Sequence, residues 1–323
     1  MTRLRHAPSR IRAAPLVAAL AGAIVAGCTA PLGADPAGAP AAADLTVDGV
    51  RLRVDLGGAG FAAGSGTLLE WVRRSAQIVS AYYGEFPVPQ ATVLVRHMPG
   101  SGVQGGSTFA NPGALIRVRV GGEVTDEQLR NDWVMVHEMT HLALPDVGEE
   151  HAWLSEGLAT YVEGIARVQA GNRSEEDVWA EELRQMPRGL PQAGDEGLDR
   201  SHTWGRTYWG GAMFCLLADV DIRRRTHDAK GLQDAVRAIA RASGGLRAQW
   251  GIAQVLRTGD AAVGTSSLED LYAQMKTSAY SPDLVRLWRE LGVEADGATV
   301  RLTDAAPLAD VRHAIMRGNK DRS

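Results

Sequence analysis

The stretch that decides the fold is VMVHEMTHLAL, residues 134–144, with His137-Glu138-Met139-Thr140-His141 at its centre. Its apolar pattern predicts a helix, and on a helix residues four apart stand on one face, so His137 and His141 can aim their imidazoles at one point. Zinc takes neutral imidazole readily; a catalytic site adds a third protein ligand and keeps a fourth position open for water. Glu138 is turned about 100° from His137 on an ideal helix. It therefore points alongside such an ion and suits a base for water better than a ligand. The alternative is that both histidines are ordinary helix residues with hydrogen bonds and no metal.

A third ligand must come from elsewhere. After a break containing Pro145 and Gly148, HAWLSEGLATYVEG (residues 151–164) predicts a second helix that can return Glu156 to face the histidine pair. Glu149, Glu150 and His151, in the connection, are rivals for the position. Glu163 lies two turns beyond Glu156, too far along to reach the same ion, and is expected to support or cap the site.

Taken together, VHEMTH and WLSEGLATYVE resemble the glutamate-zincins: the thermolysin-like peptidases and the aminopeptidase N superfamily, including the glycyl aminopeptidases. The resemblance covers about residues 125–242 and extends to TYWGGAMFCLLADVDIRRRT. It implies one zinc ion held by His137, His141 and Glu156, with Glu138 as general base and Tyr208 as the hydroxyl that supports the oxyanion. Thr160 stands where relatives often carry a carboxylate behind a ligand histidine, and its hydroxyl is expected to take that part. One motif is missing. The superfamily's aminopeptidases hold the substrate's free amine with a glutamate in a Gly-x-Met-Glu-Asn-like strand, whereas GVQGGSTFANPGALIRV (residues 102–118) has no acid. Internal cleavage is therefore expected over removal of single terminal residues. The strand Ala114 to Val120 is expected to line the cleft and take an extended peptide by strand addition.

The flanking sequence places this unit. Arg3, Arg5, Arg10 and Arg12 precede an apolar run, Ala13 to Ala26, too short for a convincing membrane span. The ending IVAGC resembles a bacterial lipobox, which implies residues 1–27 as signal peptide and a lipid on Cys28. The absence of Asp after Cys28 implies the outer membrane in a Gram-negative cell. Residues 28–43, rich in Ala, Pro and Gly, read as a flexible tether. Cys215 then has no disulfide partner and is expected to pack as a small buried hydrophobe. A formal net charge of -4 argues against nucleic acid as a partner.

The expected fold class is α+β: a mixed lobe over residues 44–124, then a mainly helical lobe over 125–323, arranged as a thermolysin-like unit with the zinc between them. In the first lobe, alternation around Asp48-Gly49 predicts a hairpin, GTLLEWVRRSAQIVSAYYG a helix, and ATVLVRHM and ALIRVRV strands. One helix is expected from Thr125, capped with Gln128, to near Pro145, and further ones over 152–170, SEEDVWAEELRQM, YWGGAMFCLLADVDIRRR, LQDAVRAIARAS, SLEDLYAQMK and SPDLVRLWREL. The expected activity is hydrolysis of peptide or protein substrates by metal-activated water, in a protein anchored to the membrane outside the cytoplasm. The alternatives are a surface-tethered binding or assembly factor on the same fold and a zinc hydrolase of a non-protein amide such as cell-wall peptide.

Overall fold

The computed structural model describes residues 42–58 and 60–318. The signal segment, Cys28 and most of the tether lie outside the described residues. Strands β1 (Ala42–Val47) and β2 (Val50–Asp55) form the expected hairpin, starting two residues before the lobe boundary read from sequence. Asp48 and Gly49 both take positive φ, 49° and 81°, as a two-residue hairpin turn of this kind demands. Helix α1 (Gly64–Tyr83) stops at Gly84, whose φ of 85° suits only a residue without Cβ.

Strands β3 (Gln90–Met98), β4 (Val103–Phe109) and β5 (Leu115–Gly121) complete a five-stranded sheet of order β1-β2-β3-β5-β4. β2, β3 and β5 run parallel, while β1 and β4 are antiparallel edges. Ile116, Val118 and Val120 are fully buried on one face, as their alternation predicts. Arg117 and Arg119 of this strand line the cleft as expected, but the expectation that it takes the substrate by strand addition is corrected. β5 is hydrogen-bonded on both sides and has no free edge; β4 is the edge strand on the cleft. Sequence gave β4 little signal because Gly105 and Gly106 interrupt its alternation.

The single helix expected from Thr125 to Pro145 is broken. α2 (Asp126–Arg130) opens with the predicted Thr125–Gln128 capping box but ends after five residues. α3 (Val134–Thr140) starts afresh because the Asp132 carboxylate accepts from the Val134 and Met135 amides, capping a new N-terminus. Trp71 on α1 donates its indole N–H to the same carboxylate. A 3₁₀ turn, His141–Ala143, follows α3 directly.

Helices α4 (Ala152–Gln169) and α5 (Glu175–Gln185) form a hairpin closed at Gly171 and capped by Ser174. The fourth predicted helix begins as a π-helical turn, Arg206–Gly210, and continues as α6 (Gly211–Thr226). α7 (Leu232–Ser243), α8 (Ile252–Val263), α9 (Ser267–Met275) and α10 (Leu284–Leu291) lead to a small hairpin, β6 (Val293–Asp296) and β7 (Thr299–Leu302), and then α11 (Ala309–Arg317). α8 was not expected, since Gly259 sits in its middle. That glycine packs where a Cβ would lie 2.5 Å from Leu268, so tertiary packing overrides propensity. Cys215 is buried inside α6, as read from sequence. No helix among the described residues is long and apolar enough to cross a membrane.

Two glycines set the geometry that matters most. α4 crosses the start of α6 with Gly157 against Gly211: a Cβ on Gly157 would lie 2.2 Å from the Gly211 carbonyl carbon, and one on Gly211 would lie 2.0 Å from the Trp153 oxygen. The close approach brings the π-helical turn, and Tyr208 within it, beside Glu156.

Candidate metal centre

α3 and α4 carry the three candidate ligands. The His137 and His141 rings stand at 86° to each other with centroids 4.9 Å apart, the i, i+4 pairing expected on one helix face. Both Nε2 atoms turn toward Glu156 Oε2, at 3.3 Å from His137 and 3.5 Å from His141. All three ligand atoms lie within 4.8 Å of one another, and the three side chains are nearly buried. Two imidazoles and one carboxylate on a common point form the donor set of a three-ligand zinc site. The residues fit the ion that the sequence implies.

The electrostatics agree with a preformed ligand group. Burial by itself works against the Glu156 carboxylate, but His141 and His137 outweigh it and hold the group well below the usual carboxylate range. Burial likewise opposes a charged His141; Glu156, and more weakly Glu138, outweigh it and raise the imidazole above its ordinary value. His141 Nδ1 lies 3.0 Å from Ser155 Oγ, a contact that fixes the ring and leaves Nε2 facing the ligand point.

Glu138 stands apart from the ligands. The Thr108 hydroxyl, on β4, donates to its Oε2 at 2.7 Å and lies 2.8 Å from its backbone carbonyl. Gly106, two residues earlier on the strand, is pressed against the same side chain. A Cβ there would sit 2.4 Å from Glu138 Cγ and 2.6 Å from Oε1. The carboxylate is thus fitted to a strand with no side chain at the point of contact. Gly106→Ala is expected to displace it by a few tenths of an ångström or more and to lower turnover by up to about 10²-fold, with metal content unchanged. Steady-state kinetics beside metal analysis of the variant check this, and parent-like turnover would refute the fit.

Tyr208 closes the other side. Its ring lies near-parallel to His137, centroids 6.3 Å apart, and Trp204 stacks on it at 5.8 Å. Burial first, and then the Glu156 carboxylate to which the phenol is hydrogen-bonded, push the Tyr208 hydroxyl well upward. It stays protonated and able to donate.

The remaining sequence-predicted residues are placed differently. Thr160 does not reach a histidine: its hydroxyl donates to the Glu156 carbonyl one turn back at 2.8 Å, the back-bond open to any helical threonine. Ser155 makes the histidine contact instead. Glu163 pairs with Arg167 on its own helix at 2.7 Å, away from the ligand pair. Of the rival ligands, His151 turns Nδ1 to Asp199 at 3.1 Å, and Glu150 lies 3.4 Å from the Nε2 of that same His151. Ser155 was visible within WLSEG. Thr108 and Gly106 were not, because the contact joins β4 to α3 across some thirty residues of chain.

The whole arrangement opens into a cleft of about 2130 Å³, lined by β4, α3, α4, α5 and Tyr208. Trp133 and Trp204, both substantially exposed, stand on its wall near the ligands.

No family model matches the sequence, and no curated protein matches it. Solved structures do. An aminopeptidase N family protein from Idiomarina loihiensis has a TM-score of 0.59 at 15% identity, covering 78% of this chain and 49% of that one. A two-domain M1 zinc metallopeptidase bound to L-arginine has a TM-score of 0.50 at 15% identity, covering 75% of this chain and 52% of that one. The chain therefore spans about half the length of the structures it matches. At this identity the likeness is one of fold, and the chain's mixed sheet-and-helix architecture resembles that of M1 peptidase structures.

Proposed function

We propose that the protein is a zinc-dependent peptidase in which His137, His141 and Glu156 hold one zinc ion and Glu138 moves the proton. The observation that carries the reading is the convergence of three nearly buried ligand side chains with their ligand atoms within 4.8 Å, with a separate carboxylate held beside them by Thr108. The M1 fold of the structural neighbours supports it. When bound, zinc supplies Lewis acidity, polarising a carbonyl and making water acidic enough to attack near neutral pH.

Glu138 Oε2 is engaged by Thr108, so Oε1 is the atom that takes the proton from the attacking water and returns it to the leaving amine. Tyr208, protonated and beside Glu156, donates to the carbonyl oxygen as negative charge develops there. Internal cleavage is favoured over removal of single terminal residues. β4 presents Gly105 and Gly106 where an amine-holding acid would be needed, and the cleft continues along α4 well past the ligand pair. Anchoring through a lipid on Cys28, outside the cytoplasm and in the outer membrane of a Gram-negative cell, remains part of the proposal from the IVAGC sequence.

The experiment is metal analysis of the purified protein together with cleavage of a peptide library, with and without a zinc chelator. One zinc per chain and chelator-sensitive internal cleavage are expected. Cleavage restricted to the first residue of free-amine peptides would overturn the internal-cleavage assignment. A metal-loaded protein that cuts no peptide would overturn the peptidase reading.

A further inference from the structure

The cleft does not end at the ligand group. Glu156, Thr160, Glu163 and Arg167 all line it, at the spacing of one face of α4. The wall thus runs on for two turns beyond the metal ligand, about 10 Å from Glu156 to Glu163, and there it meets α5.

This far end is built from charged groups, most of which are paired. Arg167 binds Glu163 at 2.7 Å, Asn172 Oδ1 at 2.7 Å and the Asn131 carbonyl at 3.3 Å. Arg173 binds Glu181 at 2.7 Å and reaches the Asp177 carbonyl at 3.3 Å. Both guanidiniums are committed. Glu182 lines the same cleft, is only 5% exposed, and its Oε2 is buried with no hydrogen-bond partner among the described residues. Glu163, Glu181 and Glu182 set three carboxylates against the two guanidiniums. Asp177 and Arg184, also on the wall, add one charge of each sign.

A buried carboxylate without a donor costs free energy that a packed apolar side chain would not. We infer that Glu182 is the anchor of a cation subsite, taking a positively charged group of the peptide substrate, an amine or guanidinium, about three extended residues from the scissile bond. Burial, with Glu181 next to it, pushes the Glu182 carboxyl well above the usual carboxylate range. The inference rests on the peptidase reading and supplies the acid that β4 lacks, placed on the opposite helical wall and farther from the reacting centre.

The test is binding, separated from turnover. In the Glu138→Gln background, fluorescent, N-acetylated, C-amidated peptides carrying one lysine at successive positions are titrated, each beside its norleucine counterpart. A matching pair without the lysine, but with a free amino terminus or an acetylated one, distinguishes a terminal amine from a side-chain cation as the source of charge. Preference for the cationic member at one position is expected to be about tenfold, the strength of a charge-assisted hydrogen bond. In Glu182→Gln that ratio is expected to fall toward one, with a thermal melt close to the parent, since amide and carboxyl are of one shape and size. A preference that survives Glu182→Gln would overturn the assignment. Equal binding of lysine and norleucine peptides would overturn the subsite but leave the peptidase reading standing. Failure of every peptide to bind would overturn both.

Discussion

Glu138→Gln is expected to retain its zinc and lose about 10²–10⁴-fold in kcat. The glutamine keeps the size and shape of the side chain, so it still fits against Gly106 and can still accept from the Thr108 hydroxyl through its amide oxygen. Position is preserved while basicity is removed. None of the ligand contacts passes through residue 138: Glu156 meets the two histidines directly, and Ser155 orients His141. The informative measurement is therefore a pair, metal stoichiometry and steady-state kinetics on one preparation. Parent-like hydrolysis would remove Glu138 from the mechanism. Loss of metal together with activity would mean that the residue acts as a ligand, and the division of labour drawn from the geometry would fail.

The largest effect on stability is expected at a residue that touches no substrate. Gly157→Ala should cost about 3 kcal/mol, near the upper end for overpacking a core, or roughly 5 °C in Tm for a chain of this size. The added methyl would meet the Gly211 carbonyl carbon at 2.2 Å and its Cα at 2.3 Å. These are backbone atoms of another helix, which no rotamer change can move. α4 and α6 must separate, and separation draws Tyr208 away from Glu156. A thermal melt checks the first consequence. The second predicts that any folded variant loses activity beyond its loss of stability. Gly66→Ala is the control. It lies inside α1 with open space around it, and the exchange is expected to stabilise by up to about 1 kcal/mol through helix propensity alone. Equal melting temperatures for the two variants would mean that the helix crossing is not the tight contact described.

The sequence carried the ligand set because its logic is local. HEMTH on a helix obliges two imidazoles to share a face, and a turn with Pro145 and Gly148 lets the next helix bring Glu156 back. The alternation of ALIRVRV and the Asp48-Gly49 turn were legible for the same reason: short-range periodicity and turn chemistry fix them. What failed locally failed because a distant partner intervened. The helix from Thr125 breaks at Asp132, whose carboxylate is held by Trp71 from another element. α8 survives a central glycine because Leu268 occupies the space beside it. Thr160 was expected to serve a histidine, but its own helix offers a nearer carbonyl.

The groups around the ligands were decided only by tertiary structure. β4, rather than β5, offers a free edge at the cleft because of strand order, which no alternation pattern encodes. Gly106 and Thr108 meet Glu138 across that order, and Glu182 meets the cleft only through the packing of α5 on α4. By itself the sequence determined that His137 and His141 share one helix face, since a helix fixes the relation of i to i+4, while the choice of Glu156 over its rivals needed the packing of α4 on α3. Which groups hold the base, place the phenol and charge the far end of the cleft depended on contacts between remote segments, where spacing along the chain sets no distance.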